Sequence, residues 1–227
     1  MDNDDNVYFG TDASKCTLIE KWRLTNGNII AFLNLVWAGI IGRRWPSAIA
    51  IAHDSLEFKD VADIPSQVRV RIRSMWDQCE ALGLRPHSSH RVDALGDAEG
   101  WTLTLVSQDQ TIVCQLIYAR VGELEQKTAV FLTALDDDTT LSTTNAPQRF
   151  NAPPGVLVKY LTDAPIRAVL EAHEERIEQL ESAAPRQLNN STVRKFILKL
   201  SRQAWKRLEE RGIYYRLKKS AASRLRS

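Results

Sequence analysis

Trp101-Thr102-Leu103-Thr104-Leu105-Val106, a break at Ser107-Gln108-Asp109-Gln110, then Thr111-Ile112-Val113-Cys114-Gln115-Leu116-Ile117-Tyr118-Ala119-Arg120: this stretch decides the fold. Trp101, Leu103 and Leu105 alternate with Thr102 and Thr104, the two-residue period of a strand buried on one face. Four turn-forming residues cannot carry the chain to a parallel neighbour, which takes a dozen or more, so the two strands pair antiparallel. Strand patterns recur downstream at 128–135, 141–144 and 156–161, separated by the Gly122 region, by Asp136-Asp137-Asp138 and by the proline-rich NAPQRFNAPPG ending at Gly155. Residues 128–135 are apolar on both faces and are expected to form the central strand. Upstream, 47–58 also reads as a strand. The sum is an α+β fold, an antiparallel meander of about five or six strands over residues 47–162.

Helices frame this sheet. Asp63-Ile64-Pro65-Ser66 supplies capping side chains and a first-turn proline for a helix over 65–82, stopped by Gly83. After Asp163-Ala164-Pro165, the residues Ile166, Val169, Leu170, His173, Ile177 and Leu180 share one face, with glutamates on the other flank. A loop ending in Asn190-Ser191 opens a second amphipathic helix, with the stripe Val193, Phe196, Ile197, Leu200, Ala204 and Leu208, which Gly212 should end or kink. Two successive helices with complementary stripes predict a C-terminal helical hairpin. The expected divisions are a polar N-terminal arm (1–27), an apolar helix (28–46), an α+β domain (47–183) and a basic amphipathic helical tail (192–227).

The segment NIIAFLNLVWAGIIG (28–42) is the most apolar of the chain. About 14 helical residues reach roughly 20 Å, short of the ~30 Å hydrocarbon thickness. The first reading is a buried helix covered nearly all round. The second is an interfacial anchor with Trp37, Arg43, Arg44 and Trp45 at headgroup level.

Composition excludes whole classes. With 44% hydrophobic and 26% charged residues in 227, the chain is neither disordered, collagenous nor a polytopic membrane protein, and three cysteines (Cys16, Cys79, Cys114) build no disulfide scaffold. The acidic start Met1-Asp2-Asn3-Asp4-Asp5 lacks the basic region of an export leader, so a cytoplasmic protein, peripheral to or anchored at a membrane through residues 28–46, is expected. The net charge of +2 conceals a split: residues 192–227 carry 12 Lys+Arg against 2 Asp+Glu, a net of +10, and the preceding 191 residues carry −8. A basic stripe of Lys195, Lys199, Arg202 and Lys206, with Arg207 and Arg211, opposes the apolar stripe of the last helix.

Catalytic motifs are thin. Asp136-Asp137-Asp138-Thr139-Thr140-Leu141 after an apolar strand is similar to the first motif of haloacid-dehalogenase-type phosphatases, a resemblance that implies Asp136 as nucleophile and Asp138 as acid/base partner. Thr139 stands where that family has glycine, and no doubly wound sheet follows; a turn that uses Asp and Thr for its own hydrogen bonds accounts for the same residues. An EF-hand fails, because Leu141 and Pro147 occupy its glycine and glutamate positions. His53, His87, His90 and His173 sit at no metal-ligand spacing, and His173 in an apolar stripe reads as a neutral core histidine. Cys114, mid-strand among Ile112, Val113 and Leu116, reads as core. No glycine-rich phosphate loop occurs, and nothing implies a cofactor, a metal or a small-molecule ligand.

Leu82-Gly83-Leu84-Arg85-Pro86, the turn Asp136 to Pro147, and Leu170 to His173 together resemble a group of uncharacterised bacterial proteins. Those proteins have an apolar N-terminal segment, a helix ending in LGF-like residues, a strand meander and a helix carrying histidine. The resemblance implies no activity, and it favours an N-terminal segment that meets a membrane. The expected function is therefore non-enzymatic: association with an anionic membrane surface or acidic protein partner through Lys195, Lys199, Arg202, Lys206, Arg207 and Arg211. The alternative is nucleic-acid binding by the same tail; a hydrolase around Asp136 and Asp138 comes third.

Overall fold

A computed structural model describes residues 8–41, 44–50, 56–92 and 98–217. The protein is α+β, with a seven-stranded sheet that is antiparallel except at one edge and a separate three-stranded sheet.

In chain order the elements are β1 (Tyr8–Asp12), α1 (Leu18–Leu24), α2 (Ile29–Ile40), β2 (Arg44–Ala50), β3 (Phe58–Lys59), α3 (Ser66–Ala81), β4 (Arg85–Val92) and β5 (Ala98–Val106). There follow β6 (Val113–Val121), β7 (Leu124–Ala134), β8 (Thr140–Thr144), β9 (Val156–Tyr160), α4 (Ile166–Glu178), α5 (Asn190–Glu210) and β10 (Tyr214–Arg216). The large sheet runs β3-β4-β5-β6-β7-β8-β9, each strand beside its sequence neighbours. The strand read over 47–58 is two short strands in different sheets, β2 and β3; residues 51–55 between them lie outside the described residues.

Three features differ from the sequence reading. First, β4 was not foreseen: among its described side chains the buried ones are Ser88, Ser89 and His90, and Ser89 is satisfied by donating to the Asp60 carbonyl at 2.9 Å. Second, β8 and β9 run parallel. The eleven residues 145–155, stiffened by Pro147, Pro153 and Pro154, make the crossover that the antiparallel rule reserves for longer connections. Third, the sheet is buried on both faces, so Thr102 and Thr104 are as covered as Leu103.

The second cover explains where α5 goes. Trp101, Leu103, Cys114, Leu116 and Phe131 point to one side and pack against Val68, Ile72 and Trp76 of α3 and Ile166, Val169 and Leu170 of α4. Val113, Leu132 and Ala134 point to the other side and take Val193, Phe196 and Ile197 of α5. So α4 and α5 form no hairpin. They sit on opposite faces, and the loop between them wraps the end of the sheet: Arg186 N–H donates to Ala134 O at 2.7 Å and Leu188 N–H to Gln110 O at 2.9 Å. An apolar stripe seeks apolar area, and β7, apolar on both sides, offers α5 a surface that α4 has not taken. β7 is an interior strand, with β6 and β8 as neighbours, but the middle of the seven strands is β6.

The three-stranded sheet joins the two chain ends in the order β10-β1-β2, with Phe9 opposite Arg216 and Thr11 opposite Tyr214. The segment read as a polar arm therefore holds a strand, a short 3-10 turn (Ala13–Lys15) and a helix. Residues 1–7 and 218–227 lie outside the described residues.

Candidate docking surface

α1 and α2 form the part of the molecule whose chemistry is least explained by folding. α1 opens with a capping box: Glu20 N–H donates to Thr17 Oγ1 at 3.2 Å, and Thr17 N–H donates to Glu20 Oε2 at 2.9 Å. The Asn26-Gly27 turn, both residues with positive φ, reverses the chain. Asn28 then caps α2, its side chain accepting from Ala31 N–H at 3.0 Å. Trp22 meets Phe32 edge-on at 5.3 Å between ring centres, and Ala38 is buried where α2 crosses the 3-10 turn. Gly39 makes that crossing close: a Cβ there would lie 2.9 Å from Lys21 Nζ and 3.4 Å from the Ala13 carbonyl oxygen.

The rest of α2 is not covered. Ile29, Ile30, Leu33, Trp37, Ile40 and Ile41 are exposed, Ile30 and Ile40 at 70%, and so are Leu18, Ile19 and Trp22 of α1. On α2 these six fall within about 120° at 100° per residue, one stripe pointing away from the protein. Twelve large apolar residues are exposed among the described ones, and nine of them lie between 18 and 41. Together they present on the order of 900 Å², above the 300–600 Å² of the largest patch on a typical monomer. The reading of 28–42 as a buried helix is thus overturned: α2 touches the protein with one side only. Arg44 and Trp45, placed at headgroup level in the interfacial reading, fall in β2, and Arg43 lies outside the described residues.

Electrostatics set the same surface apart. The only acidic residue between 17 and 41 is Glu20, which is 1% exposed and held by Arg211 of the α5 end through two hydrogen bonds of 2.6 and 2.7 Å. That pairing holds its carboxyl at about 2, far below the usual range, against the opposing effect of burial. The exposed α1–α2 surface therefore carries no carboxylate, and Lys15 beside it is exposed.

The basic residues read from the sequence divide. Lys195, Lys199, Arg202 and Lys206 are on the exposed side of α5. Lys199 lies 3.7 Å from Asp138, and Lys206 lies 3.7 Å from Glu210. Arg207 and Arg211 are structural: Arg207 donates to the Ala152 carbonyl and Arg211 clamps Glu20. The helical tail foreseen over 192–227 ends at Glu210, ahead of Gly212 at φ +69°, and the chain continues as β10 rather than as basic helix.

The catalytic candidates stay apart. Asp136, Asp137 and Asp138 form the β7–β8 turn, with Asp138 at φ +65° and Thr139 N–H donating to Asp137 Oδ1 at 2.9 Å. The Asp136 carboxylate accepts from Ala184 N–H, and that of Asp138 meets Arg186 and Lys199; no histidine is among these partners. His173 is fully buried, its two ring nitrogens hydrogen-bonded to Thr133 at 3.0 Å and Thr143 at 2.9 Å, and burial first, then Arg176, lowers its pKa to about 4. It is a neutral core histidine with two partners. His90 is also buried, with its pKa pushed to about 4, and His53 lies outside the described residues. Cys114 is buried 3.9 Å from Cys79, and burial raises its thiol pKa. Among the described residues no three His, Cys, Asp or Glu side chains gather as a metal site, and no helix is long and apolar enough to cross a membrane.

Sequence reasoning passed over Leu18, Ile19 and Trp22. The signal was present as Thr17-Leu18-Ile19-Glu20, a capping box ahead of an apolar turn. Comparison with family models, curated proteins and solved structures finds no match to this chain.

Proposed function

We propose that this protein is a non-enzymatic peripheral membrane protein that docks on an anionic bilayer through the apolar stripes of α1 and α2, aided by its basic C-terminal residues. The observation that carries the reading is the concentration of nine exposed large apolar side chains on two capped helices with no exposed carboxylate. A 12-residue helix is about 18 Å long and suits lying in the interface rather than crossing it. Trp22 and Trp37 are the side chains that favour headgroup depth. Beyond Leu217, residues 218–227 add Lys218, Lys219, Arg224 and Arg226 and no acid, each basic residue near an anionic surface contributing about 1 kcal/mol.

A second reading, nucleic-acid binding, draws on α5: its apolar stripe is buried in the sheet, and Lys195 lies on the exposed side, where it could face phosphates. Internal ion pairs at Lys199, Lys206 and Arg211 weaken that surface.

Co-sedimentation with vesicles of anionic and of neutral lipid, at low and high salt, tests the proposal. The wild type is expected to sediment with anionic vesicles and less so as salt rises, and Ile30→Ser with Leu33→Ser is expected to weaken binding at least tenfold. No vesicle binding under any condition, or a dimer in solution that covers α2 and is lost in the same double variant, would overturn it.

A further inference from the structure

We infer that the cavity under the β8–β9 crossover binds a single-chain amphiphile with an anionic head, its chain against the sheet and its head beside Arg149. The cavity measures about 440 Å³, within the range of small-molecule sites. It exists because β8 is short. β6 and β7 run nine and eleven residues, but β8 stops at Thr144, and the chain lifts off the sheet to cross toward β9. Where β8 is missing, Ile117 and Thr128 pair across β6 and β7, as do Ala119 and Gln126, and these pairs form the floor with Val158 and Tyr160 of β9. The crossover roofs it with Pro147, Phe150 and Pro153.

Among the described residues, the lining is mostly apolar and includes no Asp or Glu. The one formal charge among those residues is Arg149, exposed at the rim and donating to Gln126 Oε1 at 2.8 Å. Two further arginines lie against the same roof. Arg23 of α1 donates to Asn151 Oδ1 at 3.2 Å and is close enough to Tyr160 to act on its hydroxyl, and Arg207 of α5 donates to the Ala152 carbonyl. An apolar trough with Arg149 at its rim, two further arginines held against its roof and no carboxylate among its described lining residues complements an apolar body with one negative end. At about 30 Å³ per water-sized group, 440 Å³ holds roughly 15 such groups, the bulk of a fatty chain rather than of a short acid. Proline at 147 and 153 holds the roof in place before any ligand arrives.

The proposal is independent of vesicle docking, since monomeric amphiphile in water reaches the cavity as readily as lipid drawn from a bilayer. The test is calorimetric titration of the full chain, below the micelle concentration, with a long-chain fatty acid, a lysophospholipid with an anionic head, a long-chain alcohol and a short-chain acid. Expected are saturable one-to-one binding of the first two, at least tenfold weaker binding of the alcohol and no detectable binding of the short acid. Ala119→Trp, which fills the cavity, should abolish binding, and Arg149→Gln should weaken the acids at least fivefold while leaving the alcohol unchanged. Both variants should sediment with anionic vesicles like the wild type, whereas Ile30→Ser with Leu33→Ser should bind the fatty acid normally. If fatty acid fails to bind the wild type, or binds Ala119→Trp equally well while that variant keeps the wild-type melting temperature, the inference is wrong, whatever the vesicle result. Preference between fatty acid and lysophospholipid identifies the source of the ligand.

Discussion

Replacing Arg211 by Met strips the partner from a carboxylate that the fold has already removed from water. Glu20 is 1% exposed and Arg211 26%, and both Glu20 oxygens accept from the guanidinium, at 2.6 and 2.7 Å. The Glu20 carboxyl falls from 4.5 to about 2, chiefly through the Arg211 hydrogen bond, and that difference corresponds to about 3 kcal/mol of folding stability. A depressed acid contributes above its unfolded pKa and loses the contribution as pH falls toward the folded one. The wild-type contribution is therefore complete at pH 6 and above, about 2 kcal/mol of it is gone at pH 3, and most of the rest goes between pH 3 and pH 2. Arg211→Met should cost about 3–5 kcal/mol at pH 7, because an unpaired buried carboxylate remains, and distinctly less at pH 3. Glu20→Gln with Arg211→Met should recover part of the loss. Urea unfolding at pH 7 and pH 3 followed by far-UV circular dichroism reads these differences directly. A loss below 1 kcal/mol at pH 7, or an equal loss at both pH values, would refute the clamp as the tie between α1 and the α5 end.

His173→Leu should destabilise by about 2–3 kcal/mol at pH 7, since Thr133 and Thr143 lose a buried partner, and by less at pH 5. The sign follows from its depressed pKa: below the unfolded value of 6.5 the wild type loses stability as pH falls toward about 4, and the variant lacks that slope in a urea series from pH 7 to 4.5. Lys195→Ala should leave the melting temperature within 1–2 °C of wild type, while Arg207→Ala lowers it clearly by freeing the Ala152 carbonyl and the crossover beneath it. Gly212→Ala, at φ +69°, should cost about 1 kcal/mol in the same melt.

Elements whose signals are local could be read from the chain. α3, α4 and α5 begin within two residues of their caps and prolines, and Gly83 and Gly212 stand past the ends of α3 and α5 with positive φ. What could not be read depends on distant pairing. β1 and β10 are separated by some two hundred residues, and no local pattern in Tyr8–Asp12 announces a strand whose partner is Tyr214–Arg216. β4 was hidden by composition, since Ser88, Ser89 and His90 look like a loop until their burial is known. The position of α5 was in principle legible: Val130, Leu132 and Ala134 give β7 a second apolar side, and that side required a cover. Among the site residues, the tail arginines were mistaken for free charges because their partners, Glu20 and the Ala152 carbonyl, lie 191 and 55 positions away. The exposure of α2 could not be decided by its composition, which suits a core and an interface equally.

Quenching of tryptophan fluorescence by brominated lipids places the α1–α2 surface relative to the bilayer. With anionic vesicles, lipids brominated high on the acyl chain should quench the wild type, and Trp22→Phe with Trp37→Phe should remove most of that quenching while the protein still sediments with the vesicles. Bound protein that brominated lipids leave unquenched, or quench equally in the double variant, would contradict docking through these helices.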